Sequence, residues 1–350
     1  MKMTFRWYGL DDRVKLDYIK QIPGMTGVVT ALYSVPVGEV WPESEFKALK
    51  AEVERHNLEL EVIESVPVSE DIKLARGDYK RHLENFKENI RMLGRNGVKV
   101  ICYNFMPVFD WTRSQLDHKL PDGSKALVYY EEDVTKLDPT KLSLPGWDSS
   151  YKPEEVKELI EAYKELGEEG LWHNLEVFLK EIIPVAKESG VLMAIHPDDP
   201  AWPIFGIPRI ITCEKNIDRF LKLVDEKENG LTLCSGSLGT RKDNDMVHLV
   251  KKYVAMDRIH FAHIRNIKLV GDHSFEESAH YSKCGSLDMV GMVKAYHDAG
   301  YTKYIRPDHG RMIWDEDAKP GYGLYDRALG AMYITGIWET LDYVEGKTSK

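Results

Sequence analysis

Cysteine is scarce in this 350-residue sequence: only Cys102, Cys213, Cys234 and Cys284, far apart and forming no C-x-x-C pair. That spacing excludes a small disulfide framework and a zinc knuckle, and leaves a cytoplasmic protein with reduced thiols as the expectation. A basic excess is missing as well. Lysine and arginine total 47 against 57 acids, a formal charge of −10, and no Lys/Arg run marks a nucleic-acid face. Long apolar runs are also absent: the opening MKMTFRWYGLDDR has no apolar signal-peptide core, and no later segment is long and apolar enough to span a bilayer. No Walker pattern occurs; SGSLGTR (235–241) lacks its lysine and reads as the base of a flexible lid.

What the sequence does have is a rhythm. Strand-length apolar runs begin at MTFRWYG (3–9), MTGVVTAL (25–32), LELEVIESV (58–66) and VKVICYNF (98–105). They continue with VLMAIHP (191–197), LTLCSGS (231–237), RIHFAHIRN (258–266) and TKYIRPDHG (302–310). Most are β-branched and nearly continuously apolar, as strands covered on both faces must be. Between them lie amphipathic segments with apolar residues three and four apart, such as SEFKALKAEVERHN and DYKRHLENFKENIRMLGRNG. Gly97, Gly190, Gly230 and Gly300 each stand at a helix-to-strand joint, where a left-handed residue lets a helix reverse. Eight such alternations predict an α/β protein, a (β/α)8 TIM barrel forming a single domain over 1–350. Residues 106–170 break the rhythm without a convincing strand and read as an inserted loop and acidic helix near the active-site face, after the fourth strand. Residues 267–286, with His273, His280 and Tyr281, read as a second long loop.

The informative polar residues come where strands stop. The fifth strand ends in His196, the sixth carries Cys234 near its end, the seventh ends in His263 and the eighth in Asp308. Any one of these is an ordinary core or turn residue. Four on consecutive strands at the same end converge on one barrel mouth and suit a metal. Two imidazoles, a thiolate and a carboxylate form a borderline set fit for Zn, Fe, Co or Mn and poor for Mg or Ca. Around them fall Arg6, Trp7 and Tyr8 from the first strand, Arg241 after the glycine-rich SGSLGTR, Arg265 and Asn266 after His263, and Arg306, His309 and Arg311 around Asp308. Arginines at such a mouth suit a carboxylate or phosphate.

With these residues assembled, the sequence resembles the mannonate dehydratases of the metal-dependent, xylose isomerase-like barrel group. The resemblance is carried by FRWYG, AIHPDDP (194–200), TLCSGSLG (232–239), HFAHIRN (260–266), YIRPDHG (304–310) and PGYGLYDRALG (320–330), in order along the chain. It implies a carbon–oxygen hydro-lyase (EC 4.2.1.8) that converts D-mannonate to 2-dehydro-3-deoxy-D-gluconate in glucuronate catabolism. It also implies a divalent metal, Mn2+ or Fe2+, on His196, Cys234, His263 and Asp308. His309 and Tyr322 are then the candidates for the acid–base roles, with Arg6, Trp7, Tyr8, Arg265, Asn266, Arg306 and Arg311 around the substrate. The expected partner is a small sugar acid, with no nucleic acid and no membrane; a homodimer is left open. The rival readings are a metal-dependent sugar isomerase of the same barrel group and a non-catalytic sugar-acid binding barrel.

Overall fold

A computed structural model describes residues 1–139 and 153–347. Twelve strands occur among them in chain order: β1 (Lys2–Arg6), β2 (Met25–Thr30), β3 (Glu59–Glu64), β4 (Val100–Tyr103), β5 (Gln115–Lys119), β6 (Lys125–Tyr129), β7 (Leu192–Ile195), β8 (Asn229–Cys234), β9 (Ile259–Ile264), β10 (Ile267–Gly271), β11 (Ser274–Glu277) and β12 (Tyr304–Pro307). Eight of them, β1 to β4 with β7, β8, β9 and β12, close into a parallel barrel in sequential order. These are the eight runs read from the sequence. The fold is therefore a (β/α)8 barrel with a long insertion after its fourth strand.

Strand geometry explains the site. Side chains alternate faces, so residues two apart share one face. A small cluster fills the barrel interior: Val29, Val62, Val100, Cys102, Ala194, Phe261 and Tyr304. A step of two toward the carboxyl end leads from Val62 to Glu64, from Ala194 to His196 and from Phe261 to His263. Two such steps lead from Tyr304 to Arg306 and then Asp308. The larger apolar cluster holds the outward-facing strand residues and the helices around them. Those helices include Glu43–Arg55, Tyr79–Arg95, Glu214–Leu223, Met246–Ala255 and Tyr325–Val344. No described helix is long and apolar enough to cross a membrane.

The insertions differ from the sequence expectation. Residues 106–170, whose part 140–152 lies outside the described residues, contain the hairpin β5–β6, and residues 267–286 contain the hairpin β10–β11. The two hairpins join through β6 and β11 into a four-stranded antiparallel sheet ordered β10-β11-β6-β5. Strand β5 is half exposed and polar, and each hairpin completes its pairing only on the other, so neither carries a strong local signal. The acidic helix expected within the insertion runs on past it to Ser189, broken at Gly167 where φ is +67°.

Gly97, Gly190 and Gly300 adopt the left-handed conformation expected of them, with φ of +88°, +65° and +66°. Gly230 does not. It lies inside β8, and a Cβ there would stand 2.2 Å from His260 Nε2 and 2.6 Å from Arg258 O. The carbonyl cannot retreat, because Leu231 N donates to it at 2.7 Å, and the buried His260 ring is tied to Lys227 O at 2.9 Å. Close packing, not a reversal, requires glycine here. Gly230→Ala should destabilise the fold by about 1–3 kcal/mol, read as a lowered thermal midpoint, whereas Ala at the open Gly336 should leave it nearly unchanged.

Candidate active site at the barrel mouth

His196, Cys234 and His263 offer ligand atoms that all lie within 4.8 Å of one another. They arrive from three neighbouring strands: Cys234 pairs in register with His263, and His196 N is tied to Tyr103 O at 2.7 Å. Asp308 stands against the thiol, its Oδ2 3.4 Å from Cys234 Sγ. The structure thus gathers all four predicted ligands, three in one group and Asp308 at its edge.

This donor set fits a divalent ion. His196 Nδ1 is 2.7 Å from Pro197 O, which fixes its proton there and leaves the Nε2 lone pair to bind an ion. His263 is fully buried, and its Nε2 has no hydrogen-bond partner among the described residues; Glu64 Oε2 lies 3.4 Å away without hydrogen-bond geometry. An orphaned buried nitrogen costs about 1–3 kcal/mol, a cost an ion accepting its lone pair would remove.

Around the donors lies a buried lattice of charge. Arg306 pairs with both oxygens of Glu64, at 3.0 and 3.1 Å, and with Asp308 Oδ1 at 2.8 Å. Its Nη1 is buried with no hydrogen-bond partner among the described residues. Arg6 adds a bond to the Glu64 carbonyl and sits over the ring of Tyr8, 4.9 Å from its centroid. Arg265 reaches Asp199 Oδ2 at 2.9 Å, Asp308 Oδ2 at 3.3 Å and His309 Nδ1 at 3.1 Å. Burial alone would raise the Asp308 carboxyl, but Arg306, His309, His263 and Arg265 outweigh it and hold it well below the carboxylate range.

His309 Nε2 is 2.6 Å from the Tyr322 hydroxyl, so imidazole and phenol share one proton. Both are buried, and burial is the first cause of both shifts: it pushes the Tyr322 phenol well up and the His309 imidazole down. Tyr322 is held by its backbone. Arg327, fully buried, donates to the carbonyls of Tyr322, Gly323 and Arg6. The loop before Tyr322 is stitched to the accessory sheet by paired Lys125–Met312 backbone bonds of 2.9 and 2.7 Å.

Other predicted residues fall elsewhere. Trp7 is buried in the apolar core. Tyr8 meets Tyr322 edge-on at 5.0 Å. Asn266 is buried with its amide committed to Ala279 O, Tyr281 O and Leu287 N, so it pins a loop and leaves no group for a substrate. Arg311 is spent on Asp326 and Asp122. The residues 235–238 expected at a lid base form a buried helical turn, with Ser237 Oγ 3.0 Å from Asp199 Oδ2 and 3.1 Å from Cys234 Sγ. Sequence reasoning missed Glu64, Arg113, Asp199 and Glu277. Arg113 is wholly buried and bonds Asp199 through both terminal nitrogens, at 2.9 and 3.2 Å, and Glu277 at 2.7 Å. Glu64 ends the third strand run and so carries the strand-end signal, and Asp199 stands in AIHPDDP; Arg113 and Glu277 have no local pattern that marks them.

Comparison with known proteins gives one family over the length of the chain. The family model described as D-mannonate dehydratase (UxuA) matches residues 1–348. Mannonate dehydratase 2 of Halalkalibacterium halodurans is 56% identical over 343 residues, covering 97% of this chain and 99% of its own. The mannonate dehydratase of Thermotoga petrophila is 53% identical over 354 residues, with 98% of each chain covered. The crystal structure of mannonate dehydratase from Streptococcus suis serotype 2 superposes with a TM-score of 0.94 at 49% identity, covering 100% of this chain and 97% of that one. An L-ribulose 3-epimerase, 11% identical with a TM-score of 0.57 over 100% and 99% of the two chains, shares the barrel alone.

Two outcomes are expected of the site. Asp308→Ala and His263→Ala should each lose most of the bound metal by elemental analysis, while His309→Asn should keep it; equal metal in all three would break the ligand set. Asp199 and Glu277 are both depressed, because Arg113 and Arg265 outweigh burial. Their stabilisation is therefore complete above the usual carboxylate range, about pH 4, and is lost as pH falls below it. Calorimetric midpoints should drop on acidification through that range, and Arg113→Met should lower the midpoint at pH 7 and flatten the acid dependence.

Proposed function

The chain belongs to the D-mannonate dehydratase (UxuA) family, a family of hydro-lyases, and from that premise we propose that it removes water from D-mannonate to give 2-dehydro-3-deoxy-D-gluconate in hexuronate breakdown. The observation that carries this reading is the 2.6 Å His309–Tyr322 pair set beside the three-strand donor group, with Asp308 between them. A divalent ion, Mn2+ or Fe2+, bound by His196, Cys234, His263 and Asp308 would supply Lewis-acid stabilisation of the charge that develops next to the sugar carboxylate.

The remaining work falls to side chains of the chain itself. The C2 proton of an aldonate is very weakly acidic, so its removal needs a placed base and surrounding positive charge. His309 and Tyr322 form the acid–base couple. One accepts the C2 proton while the other protonates the departing C3 hydroxyl; the C2–H and C3–O bonds break, C2=C3 forms, and the enol product becomes the 2-keto acid. Arg306 Nη1, buried and unspent, is the donor best placed to meet the carboxylate, with Arg6 beside it.

Charge supports an acid rather than a neutral sugar. Glu64, Asp199, Glu277 and Asp308 face four guanidiniums, those of Arg6, Arg113, Arg265 and Arg306. A divalent ion with one thiolate then leaves positive charge in excess, and Arg327 adds to it. A sugar carboxylate neutralises that excess; an aldose does not. The same reading puts the reaction in the cytoplasm, where the free thiols Cys102, Cys213, Cys234 and Cys284 stay reduced.

Metal-loaded protein incubated with D-mannonate should accumulate a 2-keto-3-deoxy acid, and a chelator should stop it. A panel of neutral aldoses and ketoses should remain unchanged; their interconversion would instead favour an isomerase. His309→Asn and Tyr322→Phe should each keep the metal and lose ~10²-fold or more in turnover, and normal rates would remove them from the chemistry.

A further inference from the structure

The accessory sheet ends strand β11 against the ring of His309, and that contact bears on which ring nitrogen carries the proton. His309 Nδ1 is bracketed by a donor and an acceptor, Arg265 Nη1 at 3.1 Å and Glu277 Oε1 at 3.3 Å. Only one of them can be satisfied at a time. With Arg265 donating, the proton sits on Nε2, which can then only donate toward Tyr322. With Glu277 accepting, the proton sits on Nδ1, and Nε2 turns its lone pair to the Tyr322 hydroxyl.

Two observations favour the second arrangement. Arg265 does not depend on the ring, since Asp199 and Asp308 oxygens lie 2.9 and 3.3 Å from its terminal nitrogens. Glu277, in contrast, is fully buried and clamped: its Oε1 is 2.7 Å from Arg113 Nη2, and Arg113 is itself locked to Asp199. A fixed carboxylate oxygen facing a ring lone pair would be repelled, and a ring N–H relieves that repulsion. We propose that Glu277, delivered by the accessory sheet and clamped by Arg113, is a positioning residue that holds His309 with its proton on Nδ1, making Nε2 the acceptor of the Tyr322–His309 pair. The inference rests on reading that pair as the acid–base couple of sugar-acid dehydration.

Glu277→Gln tests it, because the amide keeps the size of the side chain but can donate to Nδ1 and favour the opposite tautomer. Metal-loaded wild type, Glu277→Gln, Glu277→Asp and His309→Asn are compared for bound metal, kcat and KM with D-mannonate, and the isotope effect on kcat with C2-deuterated substrate. Glu277→Gln should keep its metal and a KM within about two-fold, lose roughly 30-fold or more in kcat, and show a larger isotope effect. Glu277→Asp, which restores the charge, should recover part of that kcat. Loss confined to KM or to bound metal, with the isotope effect unchanged, would reduce Glu277 to a structural role and overturn the proposal. Full activity in Glu277→Gln beside an inactive His309→Asn would overturn it while leaving the acid–base pair intact; a wild type that does not turn over D-mannonate would remove the underlying reading. Nitrogen-15 NMR of the histidines in zinc-loaded wild type, with His309 identified by its loss in His309→Asn, gives an answer that needs no Glu277 variant: Nδ1–H is expected, and Nε2–H overturns the proposal.

Discussion

A carboxylate taken out of water needs a fixed cation beside it, and this barrel mouth buries three carboxylates, Asp199, Glu277 and Asp308, and partly buries a fourth, Glu64. Each isolated charge would cost several kcal/mol, so none is tolerable without its neighbours. Asp199 is held by Arg113 and Arg265, Glu277 by the same two, and Glu64 and Asp308 by Arg306. This shared arrangement surrounds the His309–Tyr322 pair and the group His196, Cys234 and His263 with fixed side chains. It also explains how the mouth remains polar although these charged groups are largely taken out of water. Mutual ion pairs fix these groups in place, which is the condition under which buried dipoles and charges act most strongly on a developing charge.

The legible part of this architecture follows from strong local constraints. Parallel barrel strands are covered on both faces, so they appear as apolar runs, and their carboxyl ends must meet. His196, Cys234, His263 and Asp308 could therefore be assembled from the sequence as one group. Their exact neighbours could not. Glu277 and Arg113 stand in EES and WTR, stretches no different in composition from a solvated surface, and only the pairing of β6 with β11 brings them together. That pairing joins segments about 150 residues apart, beyond any periodicity. Gly230 was misread for a related reason. An Asn-Gly before an apolar run signals a reversal locally, while the demand for glycine came from His260 on the next strand.

Asn266 and the 235–238 turn carry the same lesson in opposite directions. Asn266 is polar and beside a ligand strand, which suggested substrate contact, yet three backbone partners use its amide fully. The 235–238 turn looked flexible because it is glycine-rich. Its glycines instead admit close approach: a Cβ on Gly236 would overlap the Arg265 side chain. Composition reports what a residue can do; only partners decide what it does.

Distant barrels share this fold at 11–13% identity, and a fold by itself selects no chemistry. What distinguishes this chain lies in the segments that interrupt the barrel. The hairpin after β4 brings Arg113 in, the hairpin after β9 brings Glu277, and the loop after β12 brings Tyr322 while pairing with the hairpin strand β6 through Lys125. Three excursions separated in sequence thus converge on one imidazole. A parallel barrel can offer metal donors from its strand ends, because its pleat aims them inward. It cannot by itself wrap a histidine ring on both nitrogens, since a ring standing above the strand ends has only loops for neighbours. An antiparallel sheet built from two insertions provides a wall rigid enough for a clamped carboxylate. That rigidity, more than the identity of any single loop residue, is what fixes the surroundings of the His309 ring at the mouth of a common barrel, as the proposed proton removal from carbon requires.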